Sequence, residues 1–300
     1  MKDVIIVGGG PAGMSAALNI LREGKSVLIL EKETFGGQIA TSPRVENLPG
    51  IKEISGSEYA SNLFDQVTSL GAEFELENVL NISKKDNFFE VKTNYHEYQT
   101  RTIIIATGCE HKKLNIPNED KFAGNGVSYC AVCDGAFYKN ENVIVIGDAN
   151  TALQYSLMLS DYCKNITLVT LFDKFFADEI LIERLKKHEN IKVLHNLSAK
   201  EFVGTSSLES VIFTNTLTNK EIKIDAKGVF VAIGQKPHNQ LFKGLVEIDK
   251  NGYIITNENM ETSTPGIYAI GDCRSKKYRQ VATAISDALI AAIEIGNYLR

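Results

Sequence analysis

Short apolar runs alternate with longer amphipathic stretches along most of the chain. Val4-Ile5-Ile6-Val7, Val27-Leu28-Ile29-Leu30, Thr102-Ile103-Ile104-Ile105 and Val143-Ile144-Val145-Ile146 read as strands. Strands are expected near 3–7, 26–30, 102–106, 143–147, 166–171, 229–233 and 267–270. Helices are expected near 12–23, 57–70, 151–160, 178–188 and 280–298. Segments 73–93 and 199–225 predict smaller antiparallel strands joined by Asn, Lys and Asp turns. The class is α/β.

One internal echo sets the domain organisation. Val4-Ile5-Ile6-Val7-Gly8 resembles Val143-Ile144-Val145-Ile146-Gly147, and each precedes a helix of small residues. Two such βαβ units predict two Rossmann-like domains of three-layer ββα type. The motifs after residue 260 belong chemically with the first unit. The second domain is therefore expected to be inserted into the first, with residues 1–115 and 243–300 forming one domain and 116–242 the other.

Gly8-Gly9-Gly10-Pro11-Ala12-Gly13 fits G-x-G-x-x-G between a strand and a helix. Gly8 permits the tight turn, Gly10 lets the backbone approach a pyrophosphate, and Gly13 lets helix pack on strand. Phosphates then meet the helix N-terminus, where free N–H groups and the dipole favour negative charge. Glu31 ends the second strand, placed to accept hydrogen bonds from a ribose diol and to repel a 2′-phosphate; Lys32 follows it. A glycine-rich turn without a ligand is the plainer alternative. The strand, the helix and the acidic terminus together argue against it.

Ser128-Tyr129-Cys130-Ala131-Val132-Cys133-Asp134-Gly135 lies just before the second Rossmann strand. Two cysteines at this spacing can close a disulfide across a turn, and a thiolate there can attack another disulfide. Half a metal site would have the same spacing. Cys109, Cys163 and Cys273 stand alone, so a structural zinc site lacks its second pair and no metal is expected.

Composition narrows the setting. The 300 residues are 44% hydrophobic and 23% charged with a formal net charge of -5, an ordinary globular balance that gives no reason to expect nucleic acid. Five cysteines are too few for a disulfide-stapled secreted fold. No cleavable signal pattern precedes the first strand. The last apolar stretch, Val281 to Ile295, holds Asp287 and Glu294 and reads as a packed helix, not a membrane span. A cytoplasmic location is expected.

Three later segments carry a resemblance. Thr102 to Gly108 is similar to the strand-plus-Ala106-Thr107-Gly108 segment of two-dinucleotide flavoproteins. Thr264 to Asp272 looks like their second FAD motif. With Gln38, Val45-Glu46-Asn47-Leu48-Pro49-Gly50, Cys130 to Asp134 and Tyr278-Arg279-Gln280, the chain resembles low-molecular-weight thioredoxin reductases over essentially its whole length. The resemblance implies FAD as cofactor, held by Gly8, Gly10, Pro11, Ala12, Gly13, Glu31, Lys32, Gly37, Gln38, Asn47, Ala106, Thr107, Gly108, Gly271, Asp272, Arg279, Gln280 and Val281. It implies that Cys133 lies nearest the flavin, that Cys130 attacks a thioredoxin-like partner and that Asp134 donates a proton. It also implies a homodimer and a large rotation between domains.

The second nucleotide site departs from that family. It reads Gly147-Asp148-Ala149-Asn150-Thr151-Ala152, with a methyl group at the position matching Gly10 and a carboxylate where a diphosphate docks. The family's arginines for the NADPH 2′-phosphate correspond to Leu171, Phe172 and Phe176, after Thr170. Charge-assisted hydrogen bonds contribute about 1.5–3 kcal/mol each, so losing two or three weakens binding by on the order of a hundredfold or more. The combination resembles ferredoxin-dependent flavin thioredoxin reductases, with Arg274-Ser275-Lys276-Lys277-Tyr278-Arg279, Lys112 and Lys113 as a basic surface for acidic ferredoxin. Three alternatives remain open at this point: an NAD(P)H-dependent reductase with an atypical site, a dithiol oxidase using oxygen, and a flavoprotein sensor without turnover.

Overall fold

The structure, a computed structural model, describes residues 1–42, 45 and 47–300. The chain divides into two units, Met1–Glu110 with Lys236–Arg300, and His111–Gln235. The crossings fall several residues earlier than the expected 115 and 243. At the crossings, Cys109–His111 and Gln235–Pro237 pair as a two-stranded sheet. Neither segment carries an apolar run, so hydrophobic pattern gave no sign of them.

In the first unit a sheet orders Glu73–Glu75, Val27–Leu30, Lys2–Val7 and Glu97–Ile105 in parallel. The last of these strands is shared along its length. Its start pairs antiparallel with Phe89–Thr93, and its end pairs parallel with Ile267–Ala269. The stretch expected as wholly antiparallel is corrected here: Val79–Lys84 and Phe89–Thr93 are antiparallel, but Glu73–Glu75 joins the parallel edge.

The continuous apolar runs follow from cover on both faces. Val4, Ile6, Ile29 and Ile104 pack toward helices Pro11–Arg22, Gly56–Ser69 and Val281–Tyr298. Ile5, Val7, Leu28 and Ile105 pack against Val79, Ile82, Phe89 and Val91. Each such fully buried side chain contributes about 1.5–3 kcal/mol by leaving water. Ala12, Ala16 and Ala17 meet Ala284, Ala288, Ala291 and Ala292 in the helix-side core, so small residues bring the first and last helices close.

The inserted unit repeats the plan. Its parallel sheet orders Ile191–Leu194, Asn165–Val169, Asn142–Ile146, Gly228–Val231 and Val127–Ser128. Ile144, Ile146 and Val229 face the antiparallel strands Leu197–Gly204, Leu208–Asn215 and Glu221–Asp225 through Phe202, Val211 and Phe213. Val143, Val145 and Phe230 face helices Asn150–Ser160 and Glu179–Leu185 through Leu153, Leu159 and Leu181. The strand expected at 166–171 ends at Val169, and Leu171 and Phe172 are exposed. Among the described residues no helix is long and apolar enough to cross a membrane.

Candidate functional site

The glycine turn of the first unit is shaped by close approach. Gly8 has φ +116°, and a Cβ there would stand 2.3 Å from the Ala106 carbonyl oxygen. A Cβ on Gly13 would stand 2.0 Å from the Gly8 carbonyl oxygen. Gly10 differs: its backbone is extended, and the nearest atom to an added Cβ is Gly37 Cα at 3.9 Å. Open space therefore lies beside Gly10, above the start of the helix that Pro11, Ala12 and Gly13 begin. Glu31 is fixed by backbone donors, accepting from Gly9 N at 2.8 Å and from Glu33 N at 3.0 Å. Lys32 pairs with Glu33 at the surface. Gly37 and Gln38 open the short 3-10 turn Gly37–Thr41.

The same unit brings the later motifs to this turn. Ala106, Thr107 and Gly108 follow Glu97–Ile105 directly, and Thr107 donates to Asn239 Oδ1 at 3.2 Å. Gly271 has φ +71°, and a Cβ there would lie 2.9 Å from Ala12 Cβ. Asp272, next in the chain, has a buried Oδ1 with no hydrogen-bond partner among the described residues. Burial pushes its carboxyl up, while Lys276 and then Arg279 pull it down. Arg279 lies 4.0 Å over the Tyr253 ring and reaches the Asp272 carbonyl oxygen at 3.4 Å. Gln280 caps the last helix through Thr283 and accepts from Asn47 Nδ2 at 3.2 Å; Val281 is that helix's first residue. Glu46 lies outside the described residues.

These residues fit a dinucleotide with a polyol chain. Backbone is bare at Gly10, an acid ends the second strand, and an unpartnered buried carboxylate oxygen waits at Asp272.

In the inserted unit Cys130 and Cys133 form a disulfide with Cα atoms 5.3 Å apart. Cys130 is the N-cap of the single helical turn Ala131–Asp134, and its Sγ accepts from Cys133 N at 3.2 Å. Both cysteines are half-buried, and Val132 between them is exposed. Ser128 donates to Asp134 Oδ2 at 2.6 Å. Burial pushes the Asp134 carboxyl up, and the Ser128 bond offsets part of that. Ser128 stood within the sequence motif, but spacing alone gave it no role. Among the described residues no cluster of three or more His, Cys, Asp or Glu forms a metal-binding group. Cys109, Cys163 and Cys273 are buried free thiols, and burial raises all three.

The pyridine nucleotide-disulphide oxidoreductase family model matches residues 2–288. The thioredoxin reductase of Bacillus subtilis is 38% identical across 99% of this chain and 94% of its own length. The 34.2 kDa protein in the rubredoxin operon of Clostridium pasteurianum is also 38% identical, across 99% and 97%. The crystal structure of thioredoxin reductase from Streptococcus pyogenes superposes with a TM-score of 0.96 at 36% identity, covering 100% of this chain and 98% of that one. The chain belongs to the pyridine nucleotide-disulphide oxidoreductase family, among its low-molecular-weight thioredoxin reductases. The cofactor of this family's thioredoxin reductases is FAD, which the residues of the first unit fit.

At the second glycine turn the positions that the resemblance assigns to arginines hold Leu171, Phe172 and Phe176. Thr170 is fully buried; its hydroxyl donates to the Phe172 carbonyl oxygen at 2.7 Å and lies 2.7 Å from His195 Nδ1. Phe172 and Phe176 are exposed and meet edge to face at 5.4 Å. Phe176 is pinned beside the turn by its N–H, which donates to the Asp148 carbonyl oxygen at 2.7 Å. Asn150, which begins the following helix, exchanges hydrogen bonds with Asp178. The surface at the turn is thus aromatic, with the Lys174 ammonium 5.5 Å over the Phe176 ring and Asp178 on Asn150.

The expected basic docking surface needs correction. Lys276 is nearly buried, with its ammonium 2.8 Å from Asp287, and Arg274 reaches the same carboxylate at 3.2 Å. Both cations are committed inside the unit. Lys277 alone of that pair of lysines is exposed, 5.1 Å over the Tyr278 ring, and Lys113 pairs with Asp120 at 2.7 Å.

Proposed function

We propose that this protein reduces the disulfide of a thioredoxin-like partner through Cys130 and Cys133, and that its electrons come from reduced ferredoxin and not from NADPH. The observation that carries the donor assignment is the exposed Phe172–Phe176 pair where the family resemblance puts arginines. A 2′-phosphate brought there meets no guanidinium at Leu171, Phe172 or Phe176, but the Lys174 ammonium 5.5 Å over the Phe176 ring, a point charge without the bidentate fork of an arginine. Asp148 and Ala149 oppose the diphosphate at the adjoining turn.

Bound at Gly8 to Gly13, Glu31 and Asp272, FAD supplies the redox centre between the donor and the dithiol. The protein's own residues carry the exchange. The Cys130 thiolate attacks the partner disulfide and forms a mixed disulfide, and one partner sulfur leaves with a proton. Asp134, whose carboxyl burial pushes up toward the protonated form, stands in the same helical turn as the dithiol to furnish that proton. The Cys133 thiolate then attacks Cys130, the Cys130–Cys133 disulfide closes, and the second partner sulfur leaves as a thiolate that takes its proton from water, which completes the partner dithiol. The same reading carries a cytoplasmic homodimer.

The test is anaerobic. Reduced ferredoxin, NADPH and NADH are added separately to the holoprotein with oxidised thioredoxin, and flavin absorbance and new thiols are followed. Reduced ferredoxin is expected to bleach the flavin and yield thioredoxin thiols. Rapid bleaching by NADPH with none by ferredoxin overturns the donor assignment.

A further inference from the structure

Asp287 is an acid in the middle of an apolar helix, 6% exposed, and it serves three partners at once. Its Oδ2 accepts from the Gly271 backbone N–H at 3.0 Å and from Lys276 Nζ at 2.8 Å. Its Oδ1 accepts from the Arg274 guanidinium at 3.2 Å, and Arg274 Nε donates to Thr256 Oγ1 at 2.7 Å. A buried carboxylate persists where cations and hydrogen bonds compensate its desolvation. Here two cations surround one anion. The remaining positive charge acts on Asp272, which Lys276 and Arg279 hold down and Asp287 pushes up.

The placement matters because of what Gly271 is. Its φ of +71° suits glycine, and it packs against Ala12, at the start of the helix that follows the first glycine turn. The Gly271 N–H that Asp287 holds belongs to the residue immediately before Asp272, whose Oδ1 is the unpartnered buried oxygen. A hydrogen bond to that N–H fixes the turn and so the direction of the free carboxylate.

We propose that Asp287 is a positioning residue for the flavin: it sets the Gly271–Asp272 turn, and with Arg274 and Lys276 it builds a net-positive buried cluster behind the cofactor's acid. The turn and the charge are separable by substitution. Asp287→Ala removes the acceptor and the anion together. Asp287→Asn with Lys276→Met keeps an acceptor for Gly271, removes one cation with one anion, and leaves the net charge unchanged.

The inference rests on the reading of Asp272 as a flavin ligand. Both variants and the native holoprotein are compared for FAD retention by dilution and fluorescence, for flavin midpoint potential, and for thermal unfolding by circular dichroism. Asp287→Ala is expected to retain FAD at least about tenfold less well, the scale of a lost charge-assisted hydrogen bond. The double variant is expected to retain FAD within about threefold of native, since acceptor and net charge persist. Lys276→Met alone, which leaves Asp287 to Arg274 and Gly271, is expected to move the midpoint potential to more negative values, because a cation that stabilises the reduced, electron-rich state is gone. Native FAD retention in Asp287→Ala overturns the inference. So does loss of FAD in the double variant equal to that in Asp287→Ala, or an unmoved potential in Lys276→Met. A native protein that never takes up FAD sinks the flavin reading itself, and this inference with it. If Asp287→Ala does not fold, the double variant and Lys276→Met decide alone.

Discussion

Ser128 donates its hydroxyl to Asp134 at 2.6 Å, so the half-buried carboxyl beside the dithiol has a hydrogen-bond donor on its Oδ2. Burial raises its pKa and the serine lowers it, with burial the larger effect. A proton donor works while it holds its proton, so thioredoxin reduction should fall as pH rises through the raised pKa of Asp134. Ser128→Ala removes the lowering contribution, and the alkaline limb of the rate profile should move to higher pH. Asp134→Asn should slow the exchange about a hundredfold or more and erase that limb. A Ser128→Ala profile superimposable on native counts against the assignment.

The two cysteines should separate by step. Cys130→Ser should abolish reduction of the protein substrate, since no thiolate remains to open the partner disulfide. Cys133→Ser should abolish turnover too, because no second thiol closes on Cys130. In both, the donor should still bleach the flavin. Native thioredoxin reduction by the double serine variant would falsify the dithiol assignment.

Gly10 and Gly13 should differ although both lie in one motif. A methyl on Gly13 meets the Gly8 carbonyl oxygen at 2.0 Å, so Gly13→Ala should both lower the unfolding temperature and lose FAD. Gly10 has ordinary extended backbone and open space beside it. Gly10→Ala should therefore melt as native in the apo form and hold FAD about tenfold or more weakly, read from absorbance after dilution. Equal FAD content in native and Gly10→Ala means that the phosphates do not pass there.

If missing arginines exclude NADPH, returning them should admit it. The triple substitution Leu171→Arg, Phe172→Arg and Phe176→Arg is expected to speed flavin bleaching by NADPH at least about tenfold, with little change for NADH. All three positions are exposed, so the fold should tolerate the change. No gain with NADPH would point to Asp148 and Ala149 as the controlling residues.

The glycine motif, Glu31 and the Cys130–Cys133 pair are legible in the sequence as local signals with fixed spacing, whereas Asp272 is singled out through the family resemblance. The strands read well because both faces of each sheet are covered, so their runs are continuously apolar. Two kinds of feature were not legible. The crossing strands Cys109–His111 and Gln235–Pro237 are held by each other and have no apolar signature. The second is long-range charge pairing. Lys276 reads as a surface lysine and Asp287 as an oddity in an apolar helix, and only the fold reveals that each explains the other.

The inserted unit begins and ends at one place: the Lys112 N–H donates to the Gly234 carbonyl oxygen at 3.0 Å. All its strands are made before the ribosome reaches residue 236, so it can close while the surrounding unit is still incomplete. The flanking unit must wait, because Ile267–Ala269 completes its sheet and Asp272 completes its pocket. During synthesis the thiol-bearing part is free to mature first, and the flavin site is complete only once the segment from Ile267 to Asp272 has emerged. Chains cut short before Gly271 should fold a dithiol that no flavin can serve.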